Sequence, residues 1–479
     1  MGAEFPNVAP TAGMRLHPHS EGDIIRAHSF GSSLDSVTDQ ELEQLRAQAR
    51  VIPRSEHQVS RKNISDHALK VLYRLKNAGF EAYLVGGGVR DLSLGREPKD
   101  FDVVTDAKPE DVKALFRNCR LIGRRFRLAH VFFGRDIVEV ATFRALHDPD
   151  NDDGGGDVAM EDGRILRDNV YGTVEEDALR RDFTVNSLYY NIADFSVVDF
   201  ANGFDDLEAG RLRLIGDPVA RYREDPVRML RAARFAGKLG FTIDAAAGEP
   251  IPEMAALLEQ IPQARLFDEI MKLFLGGVGA QTFHILRRYE LFSHLFPQTE
   301  AALDSDSGEV WDLFILRALE NTDRRVNEDK PVTPAFLFAA LLWPSVAERA
   351  EAYAVDQGMN ESQALQEAMG EVLAEQLQRV AIPKRFSVPM REIMLLQPRL
   401  TRCGGKRATR LLGHPRFRAA YDFLLIRAAA GDAPQELADW WTDFQTTPEQ
   451  EQRTPDPAKP RKRRRRRRRG GGETPVTPG

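Results

Sequence analysis

Two aspartates, Asp100 and Asp102, are separated by a single phenylalanine in the segment DFDVVT. Side chains two residues apart on a strand point to the same face, so the two carboxylates project together. Held close to each other, they repel unless one is protonated or a cation lies between them. Mg²⁺ takes oxygen ligands, commonly one or two carboxylates with waters and substrate phosphates. The pair predicts a magnesium site. The alternative is that Asp100 ends a loop and Asp102 lies at an exposed strand edge, without a metal.

A glycine-rich stretch, LVGGGVRD, precedes this acidic pair. Gly86 and Gly87 lack a Cβ, so backbone N–H groups there can face an anion at the start of a short helix. Arg90 adds a planar charged donor suited to phosphate. No Gly-Lys-Ser/Thr follows, and the third glycine of a dinucleotide fingerprint is missing. A tight turn explains one of the glycines but not three, so phosphate binding beside a metal site predicts phosphoryl or nucleotidyl transfer.

A third acidic residue would complete a two-metal site, and two candidates are present. We expect the segment EEDALRRDFTVNSLYYN to be helical, which places Asp182 and Asn186 one turn apart on a common face. The same helix offers a purely structural alternative, an ion pair between Asp177 and Arg181. Glu139, in the strand VEVATF, is the second candidate, because a neighbouring strand could present it beside Asp102. The sequence leaves both candidates open.

The segment REDPVRMLRAARF predicts a helix that begins at Pro226, with Glu224 and Asp225 immediately before it. From Arg228 to Arg234, arginine recurs at every third position. Such a series is usually a solvated helix face. Beside a phosphate site, we expect it to contact nucleotide or RNA.

The charge distribution points to a polyanionic partner. The formal net charge is −6 over 479 residues, yet the run KPRKRRRRRRR carries ten cations, so the remainder carries −6 − 10 = −16. An acidic protein with one dense basic segment is typical of nucleic-acid binding. We therefore expect this run to tether RNA, rather than to serve only as a solvated tail; the residues assigned to the tether are Arg461, Lys462, Arg463, Arg464 and Arg465.

Composition narrows the class of protein further. No apolar run is long enough to cross a bilayer, so we expect no membrane insertion. The N-terminus lacks the basic and then apolar pattern of a secretory signal. The two cysteines, Cys119 and Cys403, are far apart, which argues against a disulfide framework and a zinc site. These features predict a cytoplasmic protein.

Periodicity predicts an α+β protein, with a small α/β head followed by an all-helical region. EAYLV and DFDVVT read as strands, LAHVFFGRDIVEVATF as a hairpin that turns near Gly134, and Leu146–Gly163 as a flexible loop. From EDPVRML onward the spacing is helical. The expected domains are a disordered leader at 1–50 with one short helix near DQELEQLRAQAR, a head at 51–215, a helical neck at 216–290, a helical body at 291–445 and a disordered basic tail at 446–479.

Taken together and in this order, five motifs resemble the class II nucleotidyltransferase superfamily, which contains bacterial poly(A) polymerases and CCA-adding enzymes. The motifs are LVGGGVRD, DFDVVT, EVATFR, EEDALRRDFTVNSL and REDPVRMLRAARF, spanning Tyr83 to Phe241. The resemblance implies a polymerase-beta-like head, two Mg²⁺ ions on Asp100 and Asp102, and a catalytic role for Asp182. It also implies a nucleotide site that includes base selection in the REDPVR segment; its members are Gly86, Gly87, Arg90, Arg144, Asp182, Asn186, Glu224, Asp225 and Arg228.

Further segments resemble the poly(A) polymerase branch and extend the likeness from Val51 to Phe444. They are LIGRRFRLAHVFFG, IPQARLFDEIMKLFLGG, PAFLFAALLW, IPKRFS and HPRFRAAYDFLLIRA, together with the basic C-terminus. The resemblance implies template-independent addition of AMP from ATP to RNA 3′-ends in RNA processing and decay, with RNA-decay or RNA-chaperone proteins as partners. The chain departs from the family pattern in the acidic loop near Asp150 and at both termini.

Three alternatives stay open at the level of sequence. A CCA-adding enzyme would use the same chemistry with CTP and ATP on tRNA. A catalytically inactive RNA-binding adaptor would keep the scaffold, but the intact acidic pair and glycine loop argue against it. A small-molecule nucleotidyltransferase would leave the helical region and the arginine run without a role.

Overall fold

The computed structural model describes residues 39–123, 127–145, 159–161, 164–167 and 170–446. The described residues of 1–205 and 214–220 form one compact unit, and those of 206–213 and 221–479 form a second. The predicted RNA tether, residues 461–465, lies outside the described residues. So do most of the predicted leader and the larger part of the predicted loop after Leu146. The finer division into neck, body and tail stays a prediction.

The first unit is a mixed α/β head, as the sequence predicts. Its described helices are α1 (Asp39–Gln48), α2 (Asp66–Asn77), α3 (Gly87–Ser93), α4 (Pro109–Leu115), α5 (Val174–Arg180) and α6 (Gly203–Glu208), of which α6 continues into the second unit. Its described strands are β1 (Arg50–Ile52), β2 (Ala82–Val85), β3 (Asp102–Thr105), β4 (Cys119–Ile122), β5 (Leu128–Phe133), β6 (Asp136–Thr142), β7 (Ala159–Glu161), β8 (Arg164–Arg167), β9 (Leu188–Asn191) and β10 (Val197–Asp199).

Eight of the described strands form one sheet in the order β1-β10-β9-β2-β3-β6-β5-β4. Neighbouring strands in it run antiparallel except β3 and β6, which are parallel. The register sets which side chains share a face, because in-register neighbours point the same way. The front face carries Val85, Asp102, Glu139 and Tyr189 in one row, and the back face carries Leu84, Val103, Val140 and Tyr190.

Helix α2 shows how local sequence sets an element of the head. The Ser65 hydroxyl accepts a hydrogen bond from the Ala68 N–H at 3.1 Å and caps the helix start. Apolar residues at helical spacing, from Ala68 to Leu75, are buried where the helix packs on β2 and β3. Gly79, with φ +92°, follows the helix end in a conformation that other residues rarely adopt. The predicted helix is confirmed.

Two sequence predictions about local structure are wrong. The helix expected across EEDALRRDFTVNSLYYN ends at Arg180, and Arg181 has extended backbone with ψ 162°. Phe183 then forms a bridge with Leu214, and a 3-10 turn, Thr184–Asn186, follows. Within the predicted loop Leu146–Gly163, residues Ala159–Glu161 form β7, which pairs with β8.

The N-terminal part of the described chain belongs to the head. The short helix expected near DQELEQLRAQAR is confirmed as α1, and its Arg46 lies 2.8 Å from the buried carboxylate of Glu175 on α5. β1 begins at Arg50 and pairs with β10 at one edge of the sheet.

The second unit is helical, as predicted, apart from one two-stranded parallel pair, β11 (Arg211–Leu212) with β12 (Thr242–Ile243). Its described helices are α7 (Pro218–Glu224, whose first residues belong to the head), α8 (Val227–Leu239), α9 (Ala245–Gly248), α10 (Ile251–Met254), α11 (Gln263–Phe274), α12 (Gly279–Arg288), α13 (Leu291–Leu295), α14 (Pro297–Leu303), α15 (Gly308–Asn327), α16 (Pro334–Asp356), α17 (Glu361–Arg379), α18 (Lys384–Leu395), α19 (Gln397–Leu400), α20 (Gly405–Leu412), α21 (Phe417–Ala430) and α22 (Gln435–Thr446). No helix in the described part of the chain is long and apolar enough to span a membrane.

Three segments singled out in the sequence meet in the core of this unit. Phe267 of IPQARLFDEI stacks on Phe338 of PAFLFAALLW, with ring centroids 5.8 Å apart, and on Phe386 of IPKRFS at 5.9 Å. Such ring pairs add to the stabilisation that burial alone provides. These segments therefore share a packing role.

Gly203 packs closely against the backbone of the segment that follows α5. A Cβ built at Gly203 would overlap the carbonyl oxygen of Thr184. We expect Gly203→Ala to lower the free energy of unfolding by about 1–3 kcal/mol, because backbone cannot move aside as a flexible side chain can. The midpoint of thermal unfolding measures the effect.

The matched control is Gly370→Ala on α17, where a Cβ meets no atom within 4 Å. Alanine is favoured over glycine in a helix interior by about 0.5–1 kcal/mol, so this variant should be at least as stable as the parent. Equal stability of the Gly203→Ala variant and the parent would contradict the packing described for Thr184.

Candidate active site

The acidic pair of the sequence lies at the start of β3. Asp102 is the first residue of the strand, and Asp100 precedes it in the connection from α3. Burial raises the pKa of Asp102 to about 6; the charges of Glu139 and Asp100 add to the shift, and Arg181 opposes it. The carboxylates are thus close enough to repel each other in a poorly hydrated place. Such a group favours either a proton or a bound cation.

Glu139 is the in-register neighbour of Asp102 across the parallel β3–β6 pair. Its side chain is half exposed, and its Oε1 lies 3.1 Å from Nε2 of His130 on the adjacent strand β5. Glu139 therefore shares the front face with Asp102 and contributes to its charge environment. His130 was not identified from the sequence, since only the strand register brings it here.

Asp182, the other candidate for a third carboxylate, is engaged differently. Its Oδ1 accepts hydrogen bonds from the Phe183 N–H at 2.8 Å and from Nδ2 of Asn186 at 3.2 Å. The predicted proximity of Asp182 and Asn186 is therefore present, although a 3-10 turn rather than an α-helix provides it. Among the charges that act on Asp102, Glu139 is prominent and Asp182 is not.

The glycine loop lies directly against the acidic pair. Gly86 has φ +72°, and a Cβ there would lie 3.8 Å from Asp102 Oδ2 and 3.7 Å from Arg181 Nη1. A Cβ on Gly88 would lie 3.4 Å from the Asp100 carbonyl oxygen. Gly86 thus keeps open the space between a carboxylate and a guanidinium, and Gly88 permits close packing on the DFD segment.

Arg90 occupies a different position from the one predicted. Its side chain is only 2% exposed, with Nε and Nη2 donating to Asp91 Oδ1 at 2.8 and 2.7 Å. Nη1 donates to Asn186 Oδ1 at 2.6 Å. The predicted phosphate contact has no support in this geometry. Arg90 instead ties the glycine-loop helix to the segment that contains Asp182.

Arg181 is the cation beside the acidic pair. Its Nη2 donates to Asp177 Oδ2 and its Nε to the Tyr189 hydroxyl, both at 2.8 Å. The Tyr189 hydroxyl donates to the same Asp177 oxygen at 2.8 Å, which closes a three-membered network. The predicted Asp177–Arg181 ion pair is present, but it is largely buried rather than on a helix surface. The sequence did not identify Tyr189 as a site residue, because the predicted helix extends over it, whereas Tyr189 lies on strand β9.

Arg144 lies behind this network. Burial lowers its pKa, and the carboxylate of Asp177 opposes that shift. Its backbone bridges to Tyr171. The structure thus places Arg144 near Asp177, Arg181 and Tyr189, on the same side of the sheet as Asp102.

The residues predicted to select the base form a second cluster, within the helical unit. Glu224 ends α7 and accepts from Arg228 Nη1 at 2.7 Å and Nη2 at 3.2 Å. Arg221 Nη1 also donates to Glu224 at 2.7 Å, and Arg228 Nη1 donates to the Arg221 carbonyl oxygen at 2.7 Å. Asp225 accepts from Arg265 Nη2 at 2.7 Å. Arg265, which belongs to IPQARLFDEI, had not been identified as a site residue.

Comparison with known proteins identifies the relatives of this chain. Three family models match: the poly A polymerase head domain over 82–213, the probable RNA and SrmB-binding site of polymerase A over 240–303, and the polymerase A arginine-rich C-terminus over 357–471. Poly(A) polymerase I of Escherichia coli O6:H1 is 50% identical over 432 residues, which is 89% of this chain and 93% of that protein.

CCA-adding enzymes are more distant. The enzyme of Lactobacillus helveticus is 38% identical over 46% of this chain and 52% of its own length. The solved structure of the Bacillus stearothermophilus CCA-adding enzyme with CTP aligns with a TM-score of 0.50 at 24% identity, covering 79% of this chain and 80% of that chain. This likeness shows the shared fold of an α/β head and a helical region. The chain belongs to the bacterial poly(A) polymerase family, and it is a polynucleotide adenylyltransferase.

Proposed function

We propose that the protein transfers AMP from ATP to the 3′-hydroxyl of RNA with release of pyrophosphate, using two Mg²⁺ ions. The observation that carries the proposal is the acidic group around Asp102, which lies in register with Glu139 and is affected by the charges of Glu139, Asp100 and Arg181. Gly86 lies against Asp102 and Arg181. Carboxylates beside a cation and a small-residue loop suit a triphosphate with its metal ions.

The donor set fits magnesium. All three acids offer oxygen ligands. Burial is the main reason that the pKa of Asp102 is raised, and the charges of Glu139 and Asp100 add to the shift. In the described part of the chain, no three histidine, cysteine, aspartate or glutamate side chains are grouped so that they could hold a metal ion. Mg²⁺ suits such an open set, since waters and substrate phosphates fill its octahedron. When bound, the two ions would lower the pKa of the attacking hydroxyl and neutralise charge on the leaving pyrophosphate.

Glu139 is the better third carboxylate in this proposal. It is held in register beside Asp102, whereas Asp182 bonds to Asn186 and the Phe183 N–H. We assign Asp182, Asn186 and Arg90 to holding the loop and the site segment in place. Arg181, fixed by Asp177 and Tyr189, stabilises negative charge next to the carboxylates, and Arg144 supports that network. A preorganised cation of this kind requires little rearrangement when substrate arrives.

Selection of ATP is proposed for the cluster in the helical unit. Three short hydrogen bonds hold the Arg228 guanidinium in one orientation against Glu224 and the Arg221 carbonyl. A donor fixed in this way presents one pattern to a base and penalises a base that cannot match it.

RNA contact is proposed for a basic surface on the helical unit and for the basic tail. No acidic residue occurs from Ile393 to Tyr421. Five exposed cations within residues 399–410 form no ion pair with any described residue; this basic surface consists of Arg399, Arg402, Lys406, Arg407 and Arg410. On the opposite side of α20, Ala408 and Leu411 are buried. Cations in the first turn of a helix oppose its dipole, so helix stability does not explain Lys406 and Arg407.

Site of action and partners are proposals of the same kind. Cys119 and Cys403 are both unpaired, which suits the reducing cytoplasm. RNA-decay or RNA-chaperone proteins are the partners to test, since the family model over 240–303 describes a probable SrmB-binding site.

The first prediction concerns the acidic group. Asp100→Asn or Asp102→Asn should lower kcat by several orders of magnitude, because metal positioning supplies most of the charge stabilisation. Glu139→Gln should lower kcat by about 100-fold or more, and Asp182→Asn by less. Initial rates of AMP incorporation at saturating ATP measure these effects. Unchanged RNA affinity and unfolding midpoint serve as the folding control.

Near-parent activity of Asp102→Asn would reject the assignment of the site. A larger loss for Asp182→Asn than for Glu139→Gln, with both variants folded, would transfer the third-carboxylate role to Asp182.

The second prediction concerns nucleotide and acceptor. Given ATP, the protein should extend an unstructured RNA into a long adenylate tail, and CTP should be incorporated far less efficiently. The experiment supplies each nucleotide with that RNA or with a tRNA that lacks its terminus. CTP-dependent addition that stops at the tRNA terminus would instead identify a CCA-adding enzyme.

The third prediction concerns RNA contact. Replacing Arg407 and Arg410 by glutamine should reduce the slope of log affinity against log salt by about 1.4, since each phosphate contact on a single strand contributes about 0.7. Fluorescence anisotropy with labelled oligoadenylate over a range of salt measures the slope.

Deleting residues 459–469 should weaken binding more at low salt than at high salt.

The matched control is Arg317→Gln, which removes an exposed arginine that already lies 3.6 Å from Glu320. Its slope should equal that of the parent. If the double glutamine variant also equals the parent, the basic surface does not contact RNA. A deletion without effect at any salt concentration would assign the tail to another partner.

A further inference from the structure

The head contains a cavity that is separate from the acidic group. It has a volume of about 510 Å³. The residues that line it include Arg54, Arg61, Lys62, Tyr73, Tyr190 and Phe195. The alternation of β9 defines its position. Tyr189 points to the front face with Asp102, whereas Tyr190 is in register with Leu84 on the back face. The cavity, which we call the back-face cavity, is therefore on the opposite side of the sheet from the catalytic carboxylates.

Three cations surround the back-face cavity without acidic partners. Arg54, Arg61 and Lys62 are exposed, and none forms an ion pair with any residue that the structure describes. Arg54 donates to the His57 carbonyl oxygen at 2.9 Å. The nearby carboxylate of Asp194 accepts hydrogen bonds from the N–H and the hydroxyl of Ser196, at 3.0 and 2.7 Å. The cavity is thus positively charged although the chain as a whole is acidic.

Aromatic rings form the remaining wall. Arg61 Nη1 donates to the Tyr73 hydroxyl at 3.0 Å, and the Arg61 guanidinium lies 4.4 Å from the centre of the Phe195 ring. Phe195 has φ +65°, a conformation that bulky side chains rarely adopt, and its carbonyl oxygen lies 3.0 Å from His57 Nε2. Both rings are only partly buried, so a flat group can reach them.

The hydroxyl of Tyr190 is the strongest sign of a missing ligand. Tyr190 is 0% exposed, and its oxygen has no hydrogen-bond partner among the described residues. Burial raises its pKa, so the hydroxyl keeps its proton and is a donor. An unpaired buried hydroxyl is destabilising, whereas phenylalanine in its place would not be. A ligand that offers an acceptor oxygen would satisfy it.

We propose that the back-face cavity binds a nucleotide, with its phosphate between Arg54, Arg61, Lys62 and the Tyr190 hydroxyl. Phosphate oxygens match both the cations and the unpaired donor. Tyr73 and Phe195 supply ring faces for a base, a combination used for single-stranded nucleic acid. The volume lies within the range of small-molecule sites. The nucleotide comes either from an RNA strand or from the free pool, and the site is independent of the proposed reaction.

The test uses the full chain without divalent cations. Binding of fluorophore-labelled hexaadenylate is measured directly, and AMP and inorganic phosphate are added as competitors. Arg61→Gln/Lys62→Gln should weaken hexaadenylate binding by about 5-fold or more, since charged hydrogen bonds to phosphate are lost. Tyr190→Phe should weaken it by about 3-fold, yet unfold at the same temperature as the ligand-free parent or higher, because it removes an unpaired hydroxyl.

The matched control is Lys76→Gln, which removes an exposed charge from helix α2 outside the cavity. Weaker competition by AMP in the cavity variants identifies free nucleotide as the source, and an effect on hexaadenylate alone identifies the RNA strand. The proposal is overturned if the double variant matches Lys76→Gln, or if Tyr190→Phe leaves the affinity for every probe unchanged. AMP transfer to a short RNA by the double variant should stay within about 2-fold of the parent, which separates this test from that of the reaction.

Discussion

Asp102 and Glu139 lie side by side in register on the parallel strands β3 and β6, and their negative charges repel each other. The sheet holds them together in spite of this, because moving either residue would break the ladder of which both strands are part. Repulsion between the two carboxylates raises the free energy of the site, and a bound cation lowers it. The other features of the head can be understood as ways to position this pair and to offset its charge.

Two polar networks meet that need. Arg181, tied to Asp177 and Tyr189, brings one fixed positive charge to the edge of the acidic group. Arg90, tied to Asp91 and Asn186, joins the glycine loop to the segment that carries Asp182. Buried networks of this kind are rigid only when every member is satisfied. The described partners satisfy Arg90 and Arg181 from two elements each, which explains how a loop of small residues keeps its position.

The helical unit uses a similar device for a different purpose. Glu224 fixes Arg228 as Asp177 fixes Arg181, with an additional backbone carbonyl from Arg221. In both units a carboxylate restrains an arginine and thereby makes its donors directional. The basic surface within residues 399–410 is the opposite case, because its cations are exposed and form no ion pair with any described residue. Unpaired cations suit a partner whose charges are repeated along a chain, such as RNA.

Sequence alone determined much of this protein. Helix α2, the hairpin at Gly134, the acidic pair and the order of family motifs could be predicted, because residue periodicity, caps and glycines act over short distances. Tertiary structure alone decided that Glu139 lies in register with Asp102, since strand pairing joins residues distant in the chain. It also decided that Arg90 points inward, that α5 ends at Arg180, and that Tyr190 leaves a hydroxyl unpaired. Each depends on which partners surround a side chain after packing, and no local pattern records that.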